Sequence, residues 1–245
     1  MRHAPCSFRC LSVVLCLATT ALADDFRIQT DVYVGKSKIP LSRNTTLFRA
    51  GYVYDYLTNP QEVAAVERVA VFDQPHGRFI LLDPVRKLKA EVKMDEVLLF
   101  ASKLQAEAAA ESSNAFSRFA VDPEFEVDFT QDGQLTLSSP HMTYQLKTMP
   151  ANTPEAATQY REFSDWYGRF NTMSNPGSTP PFARMAVNAE LARRGLVATE
   201  VQLAIPAQSG IKKAASLRSE HHVSWRLLPR DVKKIEATAN QLTTF

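Results

Sequence analysis

The chain has 245 residues, of which 45% are hydrophobic and 22% charged, and its formal net charge is +2. Such a near-neutral composition is typical of a folded globular protein and gives no support to nucleic-acid binding, which requires a basic surface. The three cysteines (Cys6, Cys10 and Cys16) all lie near the N terminus. The rest of the chain therefore cannot form disulfides, thiolate metal sites or a cysteine nucleophile.

Residues 1–23 are predicted to be a cleaved signal peptide. The segment begins with basic residues and continues with an apolar stretch (residues 10–18) that is too short to span a bilayer. Small residues, Ala21 and Ala23, occupy the two positions that signal peptidase recognises before the cleavage site. Two of the 28 basic residues belong to it, so the remaining 26 balance the 26 acidic ones. The expected product, residues 24–245, is a single periplasmic or extracellular domain that does not span a membrane.

The first predicted β-block follows at once. It starts with an alternating strand over 26–34 and, after a polar loop, continues with a meander that a helical turn at residues 60–67 interrupts. The strands of this meander are Thr46–Leu57, Arg68–Asp73, Arg78–Asp83 and Arg86–Val92. Short turns between them, such as Gln74–Gly77, indicate antiparallel pairing.

Later segments alternate between helical and strand patterns. Helices are predicted at Met94–Glu111, at 153–170 with Thr153 as cap, at Phe182–Arg194 and at Asp231–Leu242 with Asp231 as cap. Strands are predicted at 124–129, 135–137, 142–147, 199–205, 211–218 and 223–227, and Asp132-Gly133 is a hairpin signal. About eleven strands exceed what a flat open sheet accommodates. We therefore predict a β-dominated α+β fold: a curled antiparallel sheet, an incomplete barrel, with helices packed on its concave side.

Two sets of aromatic residues are the candidate ligand-binding residues. In the predicted strand Thr46–Leu57 one face has no charge, and it carries Phe48, Tyr52, Tyr54 and Tyr56. In the second long helix a stripe at helical spacing contains Tyr160, Phe163 and Tyr167. The two sets either form an ordinary core or line a cavity for an apolar ligand. Tyrosines favour a cavity slightly, because each buried hydroxyl needs a partner.

Catalytic and metal chemistry has weaker support in the sequence. His221 and His222 are adjacent, so in a strand they point to opposite faces and cannot easily share one metal ion. Glu124, Glu126 and Asp128 alternate on one strand face. They could perform acid–base chemistry or bind calcium, or they could be the charged solvent face of an edge strand. There is no nucleophile elbow and no phosphate-binding loop. No catalytic residue, metal ligand or cofactor is therefore predicted.

The pattern resembles the periplasmic lipoprotein-carrier superfamily. The segments Leu47–Tyr56 and Arg78–Lys87 look like the early strands of that superfamily. The resemblance implies roughly eleven antiparallel strands curled into an open barrel, helices across its mouth and a cavity that binds acyl chains. The expected partner is then a lipid or a lipoprotein.

The leading hypothesis is an exported binding protein that holds an apolar or amphiphilic ligand in a half-barrel cavity. Two alternatives remain open. One is a secreted hydrolase that uses carboxylates such as Glu124, Glu126 and Asp128. The other is a structural or assembly module with a solid core.

Overall fold

A computed structural model describes residues 25–60, 66–110, 115–175, 177–207 and 214–245. The predicted signal peptide, residues 1–23, lies outside them. In the described part of the chain, eleven strands form one antiparallel sheet that is not closed, accompanied by five α-helices. This confirms the predicted fold class, α+β with a curled, open sheet. None of the helices in these ranges is long and apolar enough to cross a membrane.

The sheet is a continuous ladder with two free edges. In chain order the strands are β1 (Phe26–Val34), β2 (Ser42–Arg49), β3 (Tyr52–Thr58), β4 (Val66–Asp73), β5 (Arg78–Asp83), β6 (Leu88–Lys93), β7 (Glu126–Phe129), β8 (Gln134–Ser138), β9 (Thr143–Pro150), β10 (Leu196–Ile205) and β11 (Ala215–Ser224). Their spatial order is β6-β5-β4-β3-β2-β1-β11-β10-β9-β8-β7. The pairing of the first strand with the last therefore joins two meanders.

The helices cover the two faces of the sheet unequally. They are α1 (Met94–Ala110), α2 (Ala115–Val121), α3 (Pro154–Ser174), α4 (Phe182–Arg193) and α5 (Pro229–Thr244). We call inner the face that carries Phe26 and Phe48, where α1, α3 and α4 pack. The outer face carries Leu47 and Tyr56 and is covered by α5. The C-terminal helix is thus on the opposite side from the others.

The long helix α3 forms as its sequence predicts. The Thr153 hydroxyl accepts a hydrogen bond from the Ala156 amide at 3.0 Å, and Pro154 occupies the first turn, where its missing N–H costs nothing. The aromatic stripe then faces the sheet: the Phe163 ring meets Phe48 edge-on, with centroids 5.7 Å apart, and Phe170 stacks on Phe79 at 4.7 Å. These contacts fix the helix across the inner face.

The prediction of one continuous strand from Thr46 to Leu57 is wrong, because this segment is a hairpin. Ala50 and Gly51 both have positive φ, 51° and 81°, and form a two-residue turn between β2 and β3. Such turns are usually signalled by Asn-Gly, and Ala-Gly gives no such signal. Because the chain reverses there, the side-chain alternation restarts, and Phe48 no longer shares a face with the tyrosines that follow.

Several other boundaries also differ from the sequence-based prediction. The helix α2 was not predicted, and β11 is one strand where two pieces were expected. Val66 and Glu67 begin β4 instead of ending a helical turn. Asp231 is not the cap of α5: it lies inside the first turn, and its carboxylate accepts a hydrogen bond from the Leu228 amide at 2.8 Å.

Candidate functional site

A cavity of about 680 Å³ lies between the inner face of the sheet and the helices α3 and α4. Its apolar lining comes from both layers: Ile28, Val32, Leu57 and Phe48 from the strands, and Tyr160 and Phe163 from the helix. Leu41, which also lines it, is 67% exposed and so lies where the cavity meets solvent. The volume is within the usual range for small-molecule sites, roughly 300–1,000 Å³.

Short side chains line the cavity in both layers. On the strands, the large Phe26 and Phe48 are followed by Thr30 and Thr46 on the same face. On α3, Ser164 and Gly168 line the cavity. Small residues cannot fill the space between the helix and the curled sheet. The inner face is therefore closely packed at its aromatic end and hollow beyond it.

A buried carboxylate, Asp55, lies in the cavity wall. Its oxygens accept hydrogen bonds from the Thr46 hydroxyl at 2.7 Å and from the Asn44 amide at 2.6 Å. The Tyr167 phenol is a third partner, and the guanidinium of Arg68 lies close to both Asp55 and Tyr167. Burial raises the pKa of Asp55, and these donors offset the rise only in part. The same burial raises the pKa of Tyr167, so its phenol stays protonated as a donor.

His221 is the second buried titratable group at the cavity. Its Nδ1 lies 3.0 Å from the Thr30 hydroxyl and its Nε2 lies 2.9 Å from the Ser219 hydroxyl. Burial, with a smaller contribution from the charge of Arg184, lowers the pKa of His221 to about 3. The ring is therefore neutral near pH 7, with one nitrogen donating and the other accepting. A catalytic Ser–His pair would need a carboxylate on the far nitrogen, whereas here that position is held by the Thr30 hydroxyl.

Arg184 brings a positive charge to the cavity from the first turn of α4. Its side chain is partly buried, and its positive charge contributes to the pKa of both His221 and Tyr144. Within the described ranges it forms no hydrogen bond and no ion pair. The other cavity guanidinium, that of Arg68, differs in this respect because it interacts with Tyr167 and Asp55.

The structure brings together four of the seven predicted site residues. Phe48, Tyr160, Phe163 and Tyr167 all line the inner cavity. The other three, Tyr52, Tyr54 and Tyr56, are on the outer face, so their predicted position beside Phe48 is wrong. The cause is the reversal of the chain at Ala50 and Gly51.

Each outer-face tyrosine has its own surroundings. Tyr56 is buried under α5, with its hydroxyl 2.9 Å from that of Thr238 and the Lys234 ammonium 4.2 Å from the centre of its ring. Tyr52 and Tyr54 line a separate outer recess of about 340 Å³, which also contacts Leu242. None of the three contributes to the inner cavity.

The candidate acidic residues are exposed, and the two candidate metal-binding histidines lie apart. Glu126 and Asp128 are exposed on β7, an edge strand, and Glu124 is exposed just before it. His221 is buried and His222 exposed, so they lie on opposite faces of β11, as predicted. No group of three or more His, Asp or Glu side chains able to hold a metal ion occurs among the described residues.

Sequence reasoning missed the polar lining of the cavity. In a single strand over 46–57 the alternation puts Asp55 on the face opposite the tyrosines, yet in the structure it pairs directly with Thr46 across the hairpin. A turn recognised at Ala50 and Gly51 would have placed the two residues together. For Arg184 the sequence carries no comparable signal, because its neighbours on the cavity wall come from distant strands.

A comparison with known proteins does not identify a family for this chain. Neither a scan against protein-family models nor a search of curated proteins finds a match. The function is therefore inferred from the cavity and from the residues that line it.

Proposed function

We propose that the protein is an exported binding protein that holds an apolar or amphiphilic ligand in the inner cavity. The expected ligand is a lipid or the acyl chain of an acylated protein. The observation that carries the proposal is the cavity of about 680 Å³ between an open sheet and two helices, with aromatic and aliphatic side chains in its wall. The resemblance of the sequence pattern to the lipoprotein-carrier superfamily favours the same proposal.

The physical basis of binding is the burial of methylene groups. Each methylene group moved from water into an apolar environment contributes about 0.8 kcal/mol. Ile28 and Phe48 on one wall and Phe163 on the other offer such an environment. The polar groups of Asp55 and His221 are already hydrogen-bonded within the protein. They can therefore form part of the wall without demanding a polar ligand beside them.

The two alternatives have less support from the described residues. A solid-core module would leave no space between the sheet and α3. A hydrolase would need its carboxylates in a sheltered site, whereas Glu124, Glu126 and Asp128 are exposed at the sheet edge. Asp55 is sheltered, but its oxygens are occupied by donors from the protein itself.

The test is to fill the cavity from one helix and to compare two tryptophan variants. Ser164→Trp places an indole in the cavity, while Thr158→Trp places the same side chain on the exposed face of α3. We expect wild-type protein and Thr158→Trp to take up a fluorescent fatty acid, and Ser164→Trp to bind it at least tenfold more weakly. Circular dichroism and thermal unfolding check that both variants are folded.

Two outcomes would contradict the proposal. Wild-type protein that takes up no apolar probe has no accessible cavity for such ligands. Uptake that is equal in Ser164→Trp and in wild type would place binding elsewhere on the protein. Mass spectrometry of protein purified from its native compartment adds an independent readout, because a carrier is expected to retain a lipid.

A further inference from the structure

We propose that the ligand is an amphiphile with an acidic head, a carboxylate or a phosphate, and that Arg184 binds this head inside the cavity. This inference rests on the proposed function and specifies the chemistry of one end of the ligand. It starts from the position of Arg184, a cavity-lining guanidinium without an ion-pair partner in the described part of the chain. A free guanidinium on a largely apolar wall is a binding element for an anion.

Other arginines in the structure show that partners are normally supplied by the protein. Arg43 forms a bidentate ion pair with Asp31, in which its Nη2 lies 2.9 Å from Oδ2. Arg78 donates a hydrogen bond to the Asp73 carboxylate at 2.9 Å. At the C-terminal end of α4, Arg193 and the following Arg194 share Glu190, each with a nitrogen 2.7 Å from its carboxylate. Arg184 is on the same helix, and no carboxylate of the described residues pairs with it. Its partner is therefore expected to come from the ligand.

The groups that face Arg184 across the cavity do not neutralise it. His221 is nearby, but its ring is neutral and both of its nitrogens are occupied by Thr30 and Ser219. Among the described residues that line the cavity, the one carboxylate is that of Asp55, which is engaged with Thr46, Asn44 and Tyr167 and lies beside Arg68. The charge of Arg184 thus remains available for an incoming anion.

The remaining wall determines what kind of anion fits. Phe48, Phe163 and Ile28 line the same cavity as Arg184, so a bound molecule must bring apolar surface as well as charge. A guanidinium offers parallel N–H donors that match the two oxygens of a carboxylate or phosphate. A fatty acid or a lipid phosphate satisfies both requirements. A small inorganic anion supplies the charge but no apolar surface, so the apolar wall would remain in contact with water.

The experiment compares an acid with its neutral ester in three proteins. The probes are a fluorescent long-chain fatty acid and the methyl ester of the same acid, and the proteins are wild type, Arg184→Gln and Arg193→Gln. Arg193 is the matched control because it is an exposed arginine on the same helix. We expect wild type and Arg193→Gln to bind the acid about tenfold more tightly than the ester, a difference of ~1.4 kcal/mol. In Arg184→Gln the affinity for the ester should be retained and the preference for the acid lost.

The possible results separate this inference from the proposed function. Equal binding of acid and ester by wild type, or an acid preference that survives in Arg184→Gln, would overturn the role of Arg184 and leave the carrier function standing. Binding of neither probe by wild type would overturn both. Displacement of the acid by millimolar inorganic phosphate, with no ester binding, would identify a site for a small free anion and would also overturn the proposal.

Discussion

The two faces of the hairpin β2–β3 share one backbone but differ in how tightly they pack against the helices that cover them. On the outer face, Leu47 and Tyr56 are at most 1% exposed and pack under α5. On the inner face, Thr46 and Asp55 alternate with them along the same strands, and α3 leaves a cavity above them. Successive side chains point to opposite sides of a strand. A single register thus produces close packing under α5 on one side and a cavity under α3 on the other.

The comparison shows that side-chain size and polarity, and not the sheet itself, decide where the space lies. Large apolar residues meet the C-terminal helix directly. On the inner face, short and polar side chains such as Thr30, Thr46 and Asp55 alternate with aliphatic ones, and Thr46 donates a hydrogen bond to Asp55. A buried carboxylate such as Asp55 is tolerated only with such partners. A cavity wall with satisfied polar groups can be stable and still leave room for a ligand.

The largest effect is expected on the outer face. Tyr56→Ala should lower the free energy of unfolding by about 3–5 kcal/mol, because it removes a fully buried aromatic ring. Chemical denaturation by urea measures the change. The fraction that remains folded should still take up an apolar probe, because Tyr56 does not line the inner cavity.

A matched substitution separates the ring from its hydroxyl. Tyr56→Phe keeps the ring and loses the hydrogen bond to Thr238, so its cost should be about 1 kcal/mol. If Tyr56→Ala lowers the free energy of unfolding no more than Tyr56→Phe does, the ring of Tyr56 is not closely packed between the outer face and α5.

A smaller effect is expected on the inner face. Thr46→Val keeps the shape of the side chain but removes a hydrogen bond to Asp55, and should cost about 1–3 kcal/mol. The cost should grow as the pH rises through the folded pKa of Asp55, because the ionised carboxylate needs the donor more than the protonated acid does. Urea unfolding at a series of pH values from 4 upward measures the difference.

The pH dependence of wild type has a defined sign. The pKa of Asp55 is raised in the folded protein, so as pH increases the unfolded chain ionises first, near pH 3.9. The contribution of Asp55 to stability therefore falls from about pH 4 until the folded pKa is passed. Asp55→Asn should remove this contribution. If wild type and Asp55→Asn keep a constant stability difference from pH 4 to pH 8, Asp55 is not the buried group described here.

An effect smaller than that of Tyr56→Ala is expected in the hairpin between β7 and β8, away from the cavity. Gly133 has a φ of 81°, as expected for the Asp132-Gly133 turn. Gly133→Val should cost about 1–2 kcal/mol, because a β-branched residue is strained in the left-handed region. Gly133→Asn, which tolerates that region better, should cost less. Thermal unfolding compares the two, and probe uptake should be unchanged in both. An equal cost for valine and asparagine would show that backbone strain is not the cause.

Much of the fold could be predicted from the sequence. Alternating strands, the hairpin at Gly133 and the cap at Thr153 are local signals, and each corresponds to an element of the structure. The stripe of Tyr160, Phe163 and Tyr167 also faces the sheet and the cavity, because helical periodicity fixes which residues share a face.

The part that could not be predicted depends on a turn and on long-range contacts. One unrecognised two-residue turn at Ala50 and Gly51 reversed the chain and moved three tyrosines to the other face. The meeting of His221 with Thr30 joins residues 191 positions apart, and Arg184 reaches the same cavity from a third segment. No local pattern specifies such contacts.

The most direct test of the central claim, a ligand cavity on the inner face and close packing between the outer face and α5, is photo-crosslinking with a fatty acid that carries a diazirine in its chain. After irradiation, peptide mass spectrometry locates the attached residues. We predict adducts on α3 and on the inner-face strands, at or near Phe163 and Phe48, and none on α5. Adducts concentrated on α5 or beside Tyr52 and Tyr54 would place the binding site on the outer face and contradict the account.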